Sequence, residues 1–391
     1  MILSMLDTDL YKFTTSYAYM KLYPNAIGTF EYVDRNKNVY DEKFLIGLKE
    51  ALKEMCDCAL KPSEFEKVVS NRWLSRFLPI CFWEWLMQFR FDPSKIDAYL
   101  DKEGHLHIVV TDYLYKVTLY EVPILYTVSE FYYDYNNIRA DTDLMYLNLT
   151  EKIDFANEHK LIFSEFGTRR RYSASVHEAV VKYLKSNSKT CVGTSNVYFA
   201  LKYDMMPCGT FPHEWVMFHG AIWGYQQANE LAMRDWVRCY DGDLGTVLCD
   251  TYTTKFFIKQ FSRKYSKLFD GPRLDSGDEK ELGDLFIEHY KSMGINPMSK
   301  TLIMSNALDF PRFKEIRDYF EGRINVAAGI GTNLTNDCGV IPLNEVMKLI
   351  KVWEYKGAPG LDCIKRSDDL GKRLGSPVQQ MILDYVLEDA A

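Results

Sequence analysis

The chain has 391 residues, of which 47% are hydrophobic and 26% charged, and its net charge is −7. That length buries a substantial core and predicts one large domain beside a smaller one, and the composition excludes a disordered chain. The acidic balance, without a long block of Lys or Arg, excludes nucleic acid as a dominant partner, and no charge-free apolar stretch is long enough to span a bilayer.

Nine Cys residues are scattered without a Cys-x-x-Cys pair. This is a reduced, cytoplasmic pattern with neither a disulfide framework nor a structural zinc site. Residues 1–19 already carry Asp7, Asp9 and Lys12 and lack the basic-then-apolar pattern of a signal peptide.

In chain order, Leu6-Asp-Thr-Asp-Leu-Tyr-Lys12 leads into a predicted helix ending near Tyr23, stopped by Pro24-Asn25. Residues 28–35 have strand character. Residues 41–55 and 62–92 read as helices, broken by Pro79 and Pro93. Residues 105–120 alternate apolar and polar and predict two strands of an antiparallel sheet. A long helical region then runs from about 123 to His159.

Beyond it, eight short apolar segments alternate with amphipathic ones: 161–164, 189–192, 205–208, 246–249, 271–274, 301–304, 324–327 and 351–353. This rhythm predicts an α/β fold with a parallel sheet, most simply a closed or nearly closed barrel, with an open doubly wound sheet as the alternative. The polar, turn-rich tail from Lys356 is expected to fold back on the N-terminal sheet. A barrel places its chemistry on the loops after the strand C-terminal ends, and the unusual residues fall there.

Gly209-Thr-Phe-Pro-His-Glu-Trp215 puts His213 at a strand end, just before a helical pattern over 214–238, where it can meet phosphate or serve as a cap or packing residue. The later His219 is six residues on, so the pair does not share a helical face and is not a zinc motif. Gly329-Ile-Gly-Thr332 suits a phosphate monoester, with backbone N–H groups and a hydroxyl as donors, or is a tight turn. Asp275 and Asp278 flank Ser276-Gly277. Asp275 or Ser276 caps the next helix, or a carboxylate there holds ribose hydroxyls with or without Mg2+. Arg273 suits an anionic group.

Arg169, Arg170 and Arg171 sit where a helix is expected to begin, a poor place for cations unless an anion is near. A solvated charge run accounts better for Arg170 and Arg171 than for Arg169. Phe166 stacks on an aromatic substrate or packs in the core.

Taken together, Asp7-Thr-Asp-Leu-Tyr-Lys12, Glu165-Phe-Gly-Thr-Arg169, Gly193-Thr-Ser195, Gly209-Thr-Phe-Pro-His-Glu-Trp215, Arg273-Leu-Asp-Ser-Gly-Asp278, Ser305-Asn-Ala-Leu-Asp309 and Gly329-Ile-Gly-Thr332 resemble the nicotinate phosphoribosyltransferase family. The resemblance covers nearly the whole chain in order. It implies an irregular TIM-like α/β barrel, here residues 123–355, beside a smaller α+β domain from 1–122 plus 356–391. It implies transfer of phosphoribosyl from phosphoribosyl pyrophosphate to nicotinate, giving nicotinate mononucleotide and pyrophosphate in NAD salvage, with Mg2+ and coupled ATP hydrolysis. It also implies a homodimer with shared active sites.

By the same resemblance His213 is the histidine phosphorylated by ATP, Asp275 holds the ribose hydroxyls and Arg169 the pyrophosphate. Phe166 and Tyr11 of the neighbouring subunit sandwich the pyridine ring. Arg273 faces nicotinate and phosphate, and Gly329, Gly331 and Thr332 hold the 5′-phosphate. Nicotinamide-using relatives carry Asp after Gly-Thr, whereas here Thr194 is followed by Ser195. Ser195 donates to the nicotinate carboxylate or caps the helix starting near Asn196. The other readings are a nicotinamide phosphoribosyltransferase and a sugar-phosphate isomerase or aldolase, though none of these loops supplies a Schiff-base lysine.

Overall fold

The computed structural model describes residues 2–389. Its strands run, in chain order, β1 (Ile27–Asp34), β2 (Ile96–Leu100), β3 (Leu106–Tyr113), β4 (Phe163–Glu165), β5 (Cys191–Thr194) and β6 (Met206–Pro207). They continue as β7 (Thr246–Leu248), β8 (Gly271–Leu274), β9 (Thr301–Met304), β10 (Asn325–Ile330), β11 (Glu345–Trp353) and β12 (Leu361–Asp362). One sheet has the order β12-β11-β1-β3-β2 and the other β6-β5-β4-β10-β9-β8-β7.

The second sheet is a curled, parallel, seven-stranded half-barrel with helices following its strands, the parallel α/β arrangement that the rhythm predicts but with β6 and β7 as its two edges instead of a closed barrel. Its strands approach so closely that only glycine fits at two points. A Cβ on Gly193 of β5 would lie 2.0 Å from the Met206 carbonyl oxygen, and one on Gly271 of β8 would lie 1.9 Å from that of Thr301.

Seven of the eight expected parallel segments lie in that sheet. The eighth, 351–353, is instead the end of β11 in the antiparallel sheet. β11 buries alternate residues over most of its length, the mark of a strand covered on one face, and a three-residue window was too short to show it. Residues 115–120 are also not a strand. The chain turns helical at Leu114–Val117 and then 3-10 at Thr118–Tyr120. Leu114, Val117, Leu119 and Tyr120 are all buried, so burial overrides the β-branched and aromatic preference. The partner of β3 is β2, paired antiparallel with Tyr99 opposite His107.

Two long helical patterns are each a pair of helices. Glu121–Tyr135 and Thr142–Glu158 part where the Asp141 carboxylate accepts from the Leu144 N–H at 2.9 Å. His213–Trp223 and Tyr225–Tyr240 part at Gly224, whose φ of +88° suits glycine. The tail pairs β12 with β11, as expected for a segment returning to that sheet. No helix among the described residues is long and apolar enough to cross a membrane.

The chain divides into two compact units: 1–17, 29–208 and 330–348, and 18–28, 209–329 and 349–391. The first is organised around a buried ion pair. Asp7 takes both Nη groups of Arg171, at 2.7 and 2.9 Å, and the Asn196 side-chain amide at 2.8 Å. Arg171 also donates from Nε to Glu130 at 3.0 Å and lies 4.1 Å over the Tyr126 ring. Asp7 and Arg171 are both fully buried, so Arg171 is a structural cation and not part of a solvated run. In the second unit, Tyr19, Trp215, Phe218 and Trp236 pack as tilted or edge-to-face rings behind the His213–Trp223 helix.

Removing one partner of a buried pair leaves an uncompensated charge. Arg171→Leu is expected to cost about 3–5 kcal/mol in urea unfolding, and a loss below about 1 kcal/mol, as for an exposed pair, would show Asp7 to be answered elsewhere.

Candidate active site

In the second unit the strand-end loops bring His213, Asp250, Arg273 and Asp275 together. His213 is the first residue of its helix, after the Pro212 cap. Its Nε2 faces Asp250 Oδ1 at 2.7 Å and lies 4.0 Å from Asp275 Oδ2. Asp250, two residues past the end of β7, is fully buried. Its Oδ2 accepts from Ser276 Oγ at 2.6 Å and Ser367 Oγ at 3.3 Å, with Lys365 Nζ at 3.6 Å.

These contacts set the protonation states. Burial alone would raise the Asp250 carboxyl, but Lys365, His213 and the hydroxyl donors outweigh it and hold it well below the usual carboxylate range. Burial, with Lys365, lowers the His213 imidazole below its ordinary value against the opposing pull of Asp250 and Asp275. The ring is therefore neutral near pH 7. Its single proton belongs on Nε2, which donates to Asp250, and Nδ1 keeps the lone pair.

Arg273 of β8 is bound on all three nitrogens. Nε donates to Ser305 Oγ at 2.8 Å, Nη1 to Thr210 Oγ1 at 2.9 Å and Nη2 to Asp275 Oδ1 at 3.2 Å. Burial raises the Asp275 carboxyl, but Arg273 more than offsets this and its pKa lies below the ordinary value. Asp275 is not a helix cap. The cap of Glu279–Ser292 is Asp278, which accepts from the Glu281 N–H at 2.8 Å. Asp275 Oδ1 is thus engaged by Arg273 and by Ser305 at 3.1 Å. Its Oδ2 is turned toward His213.

His213, Asp250 and Asp275 offer one nitrogen and two carboxylate oxygens within 4.8 Å of one another. Asp250 spends both oxygens on protein donors and His213 spends Nε2 on Asp250. A hard cation therefore fits through Asp275 Oδ2 completed by substrate oxygens, which is how Mg2+ is usually held.

On sequence grounds Asp250 falls on a strand-end loop, Ser276 is a possible cap and the tail returns to the N-terminal sheet, none of them with a role in the site. Asp250 had a signal, a charged residue directly after an apolar run at a strand end. The tail had none, because its partners are distant in sequence. Residues 365–372 lace the strand ends together. Arg366 N–H donates to Thr251 O at 2.8 Å, Asp369 accepts from Gly277 N–H at 3.0 Å, and Lys372 Nζ donates to Asn306 Oδ1 at 2.8 Å.

In the first unit the Glu165-Phe-Gly-Thr-Arg169 and Gly193-Thr-Ser195 loops meet the N-terminal motif. Glu165, buried, accepts from Thr194 Oγ1 and lies 3.1 Å from His177 Nε2. Thr194 is fully buried and holds this loop. Ser195 Oγ donates to Asp9 Oδ1 at 2.7 Å, and Leu10 N–H donates to Ser195 O at 2.8 Å. The cap of the helix Val197–Lys202 is Asn196, which accepts from Phe199 N–H at 3.1 Å, so Ser195 caps nothing.

Arg169 and Arg170 lie in a 3-10 turn, Thr168–Arg170. The following helix starts only at Ala174, capped by Ser173, so the arginines do not open it. Arg169 is half-exposed, with Nη1 3.6 Å from Glu121 Oε1. Phe166 and Tyr11 are half-buried. Phe166 N–H donates to Ile330 O at 2.8 Å. Tyr11 sits beside Lys12, whose Nζ is 5.0 Å from its ring and pairs with Glu121.

Gly329 is buried within β10, and Gly331 precedes the short helix Thr332–Thr335. The first amides of such a turn have no intrahelical acceptor and are open to an anion. A Cβ on Gly331 would crowd the Phe166 carbonyl oxygen at 3.1 Å.

In the second unit, strand-end loops of a parallel half-barrel that present an oriented neutral imidazole, two carboxylates and an arginine define an enzyme class acting on polar, anionic substrates. Comparison with known proteins makes this specific. The model of the nicotinate phosphoribosyltransferase (NAPRTase) family matches residues 161–389, and that of its N-terminal domain matches residues 6–129. A nicotinate phosphoribosyltransferase of Chromohalobacter salexigens is 39% identical over 382 residues, covering 96% of each chain. One from Desulforapulum autotrophicum is 37% identical, covering 99% of each. The crystal structure of nicotinate phosphoribosyltransferase from Porphyromonas gingivalis superposes with a TM-score of 0.96 at 42% identity, covering 99% of this chain and all of that one. The chain belongs to the nicotinate phosphoribosyltransferase family.

The Ser195–Asp9 bond sets the expected effect of Ser195→Asp. Burial already raises the Asp9 carboxyl, countered by Arg169 and the Ser195 hydroxyl. A second carboxylate there is expected to destabilise the fold by several kcal/mol, on the order of a buried charge conflict, before any change of ring specificity. Urea unfolding of the variant checks this; wild-type stability with altered substrate choice would show that Ser195 faces the ring instead.

Proposed function

We propose that this protein is a nicotinate phosphoribosyltransferase, transferring phosphoribosyl from phosphoribosyl pyrophosphate to nicotinate in NAD salvage, coupled to ATP hydrolysis through a phosphohistidine on His213. The observation that carries the reading is the Asp250–His213 pair, in a chain that matches named enzymes of this activity over its whole length. Family membership removes the isomerase and aldolase readings.

The first role is that of His213. With Nε2–H bound to Asp250, Nδ1 is the nucleophile toward the ATP γ-phosphorus; the N–P bond forms as the bond to the bridging oxygen breaks and ADP leaves, and Asp250 stabilises the cation that develops on the ring. Phosphorylation leaves the Asp250 hydrogen bond intact and adds negative charge beside Asp275.

The transfer step needs positioning more than acid–base chemistry. The nicotinate ring nitrogen is already unprotonated near neutral pH, so no general base is required. Asp275 accepts from the ribose hydroxyls, held in place by Arg273 and Ser305, and its charge favours the oxocarbenium-like transition state. Asp275, through Oδ2, would hold Mg2+ together with the substrate, and the ion would supply charge neutralisation for the departing pyrophosphate. Arg169 assists that departure. Gly329, Gly331 and Thr332 take the 5′-phosphate through backbone N–H groups and a hydroxyl. Phe166 stacks on the pyridine ring, with Tyr11 of the partner subunit on its other face, in a cytoplasmic homodimer.

Product analysis with nicotinate, nicotinamide and quinolinate, each with and without ATP, tests the reading. Nicotinate mononucleotide is expected from nicotinate alone, faster with ATP, and His213→Ala is expected to lose ATP hydrolysis while keeping slow, ATP-independent transfer. Preferential conversion of nicotinamide would replace the substrate assignment. Complete loss of transfer in a folded His213→Ala at saturating substrates would replace the coupling role.

A further inference from the structure

We infer that Thr335 is a positioning residue for the transfer reaction. Its hydroxyl ties the loop bearing Phe166 and Arg169 to the glycine turn near 330 and so sets the spacing between the ring and 5′-phosphate subsites, an assignment that rests on the roles proposed for those residues.

Thr335 ends the short helix Thr332–Thr335 and is fully buried. Its Oγ1 donates to Gly167 O at 2.8 Å, and its carbonyl accepts from Tyr172 N–H at 3.1 Å. The next residue, Asn336, donates from Nδ2 to Arg170 O at 2.9 Å. Phe166 N–H, at the other end of the loop, donates to Ile330 O at 2.8 Å. Backbone groups along 166–172 therefore end on residues 330–336, and both segments belong to the first unit.

Of these ties, only the Thr335 hydroxyl reaches the peptide between Phe166 and Arg169 from the phosphate turn. Gly167 is buried, and its N–H is taken by the Glu165 carboxylate, so its peptide groups are held on both sides. The Gly167 φ of −99° is open to any residue, so glycine is needed there for space. A Cβ would lie 2.2 Å from Thr335 Oγ1 and 2.4 Å from its Cγ2. The two segments have come into direct contact, and the hydroxyl bridges them.

A buried carbonyl that loses its donor must find another or move toward water. Removing the hydroxyl gives Gly167 O that choice, and the loop shifts with it. Displacement of a positioning group by about 1 Å is enough to weaken catalysis tenfold or more. Ring stacking by Phe166 acts in the ground state and the transition state alike, so its misplacement registers mainly in KM.

Two substitutions separate the hydroxyl from the methyl. Thr335→Val keeps the shape and removes the hydroxyl, whereas Thr335→Ser keeps the hydroxyl and removes the methyl. Transfer kinetics and amide exchange over 166–172 are measured on both full-length variants. Thr335→Val is expected to raise the KM for nicotinate about tenfold, with a much smaller change in kcat, and to speed exchange. Thr335→Ser is expected to stay near wild type in both. ATP-dependent phosphorylation of His213, in the second unit, is expected to be unchanged and shows that the variants fold. Should Thr335→Val misfold, Gly167→Ala pushes the same segments apart from the other side and is expected to act in the same direction.

A serine variant more impaired than the valine variant would make packing of the methyl the role of Thr335 and overturn the inference. A wild-type KM in folded Thr335→Val would overturn it as well, whatever the exchange rates. A wild type that forms no nicotinate mononucleotide would instead remove the activity reading, and the positioning role with it. Faster exchange in Thr335→Val than in Thr335→Ser would then still establish the tie itself.

Discussion

A carboxylate sealed from water must be answered by its neighbours, and Asp250 is answered by four: His213, Ser276, Ser367 and Lys365. They come from three separate stretches of chain, so one buried charge fixes the arrangement of the strand-end loops in the second unit. The same charge decides the chemistry of His213. By accepting a hydrogen bond from Nε2–H it leaves Nδ1 as the basic nitrogen, while burial and Lys365 keep the ring neutral. Asp275 is set by the same economy of contacts, because Arg273 and Ser305 occupy one oxygen and turn the other toward the imidazole.

The first unit solves a similar problem with Asp7 and Arg171. There the charges carry no evident chemistry; they fasten the N-terminal motif to the loops after β4 and β5, which present Phe166, Arg169 and Ser195. A run of three arginines thus divides by neighbour and not by sequence. Arg171 is buried against a matched acid, Arg170 donates to the Glu345 carbonyl at 2.9 Å, and Arg169 is half-exposed.

The parallel sheet was legible because each of its strands is a short apolar run ending in a Gly, Asp or Ser loop, and seven such runs fell in place. The failures share one cause. Where a segment is buried on successive residues, as at 117–120, or too short to show alternation, as at 351–353, pattern carries no information about hydrogen-bonding partners. In the candidate site, the residues that stand out locally were legible: His213 at a helix start, Asp275 after Arg273, the glycines near 330. Residues whose meaning depends on a distant partner were not. Asp250 needed His213, Ser195 needed Asp9, and the lacing by residues 365–372 could not be read from a polar tail.

The account rests on Asp250 fixing which nitrogen of His213 is free, and the phosphorylated protein reports this directly. After incubation with ATP, 31P and 15N NMR of histidine-labelled protein distinguishes the two phosphohistidine isomers. The Asp250–His213 geometry predicts phosphorus on Nδ1 with Nε2 still protonated. A phosphoryl group on Nε2 would contradict it, since that nitrogen would have to give up Asp250 to react.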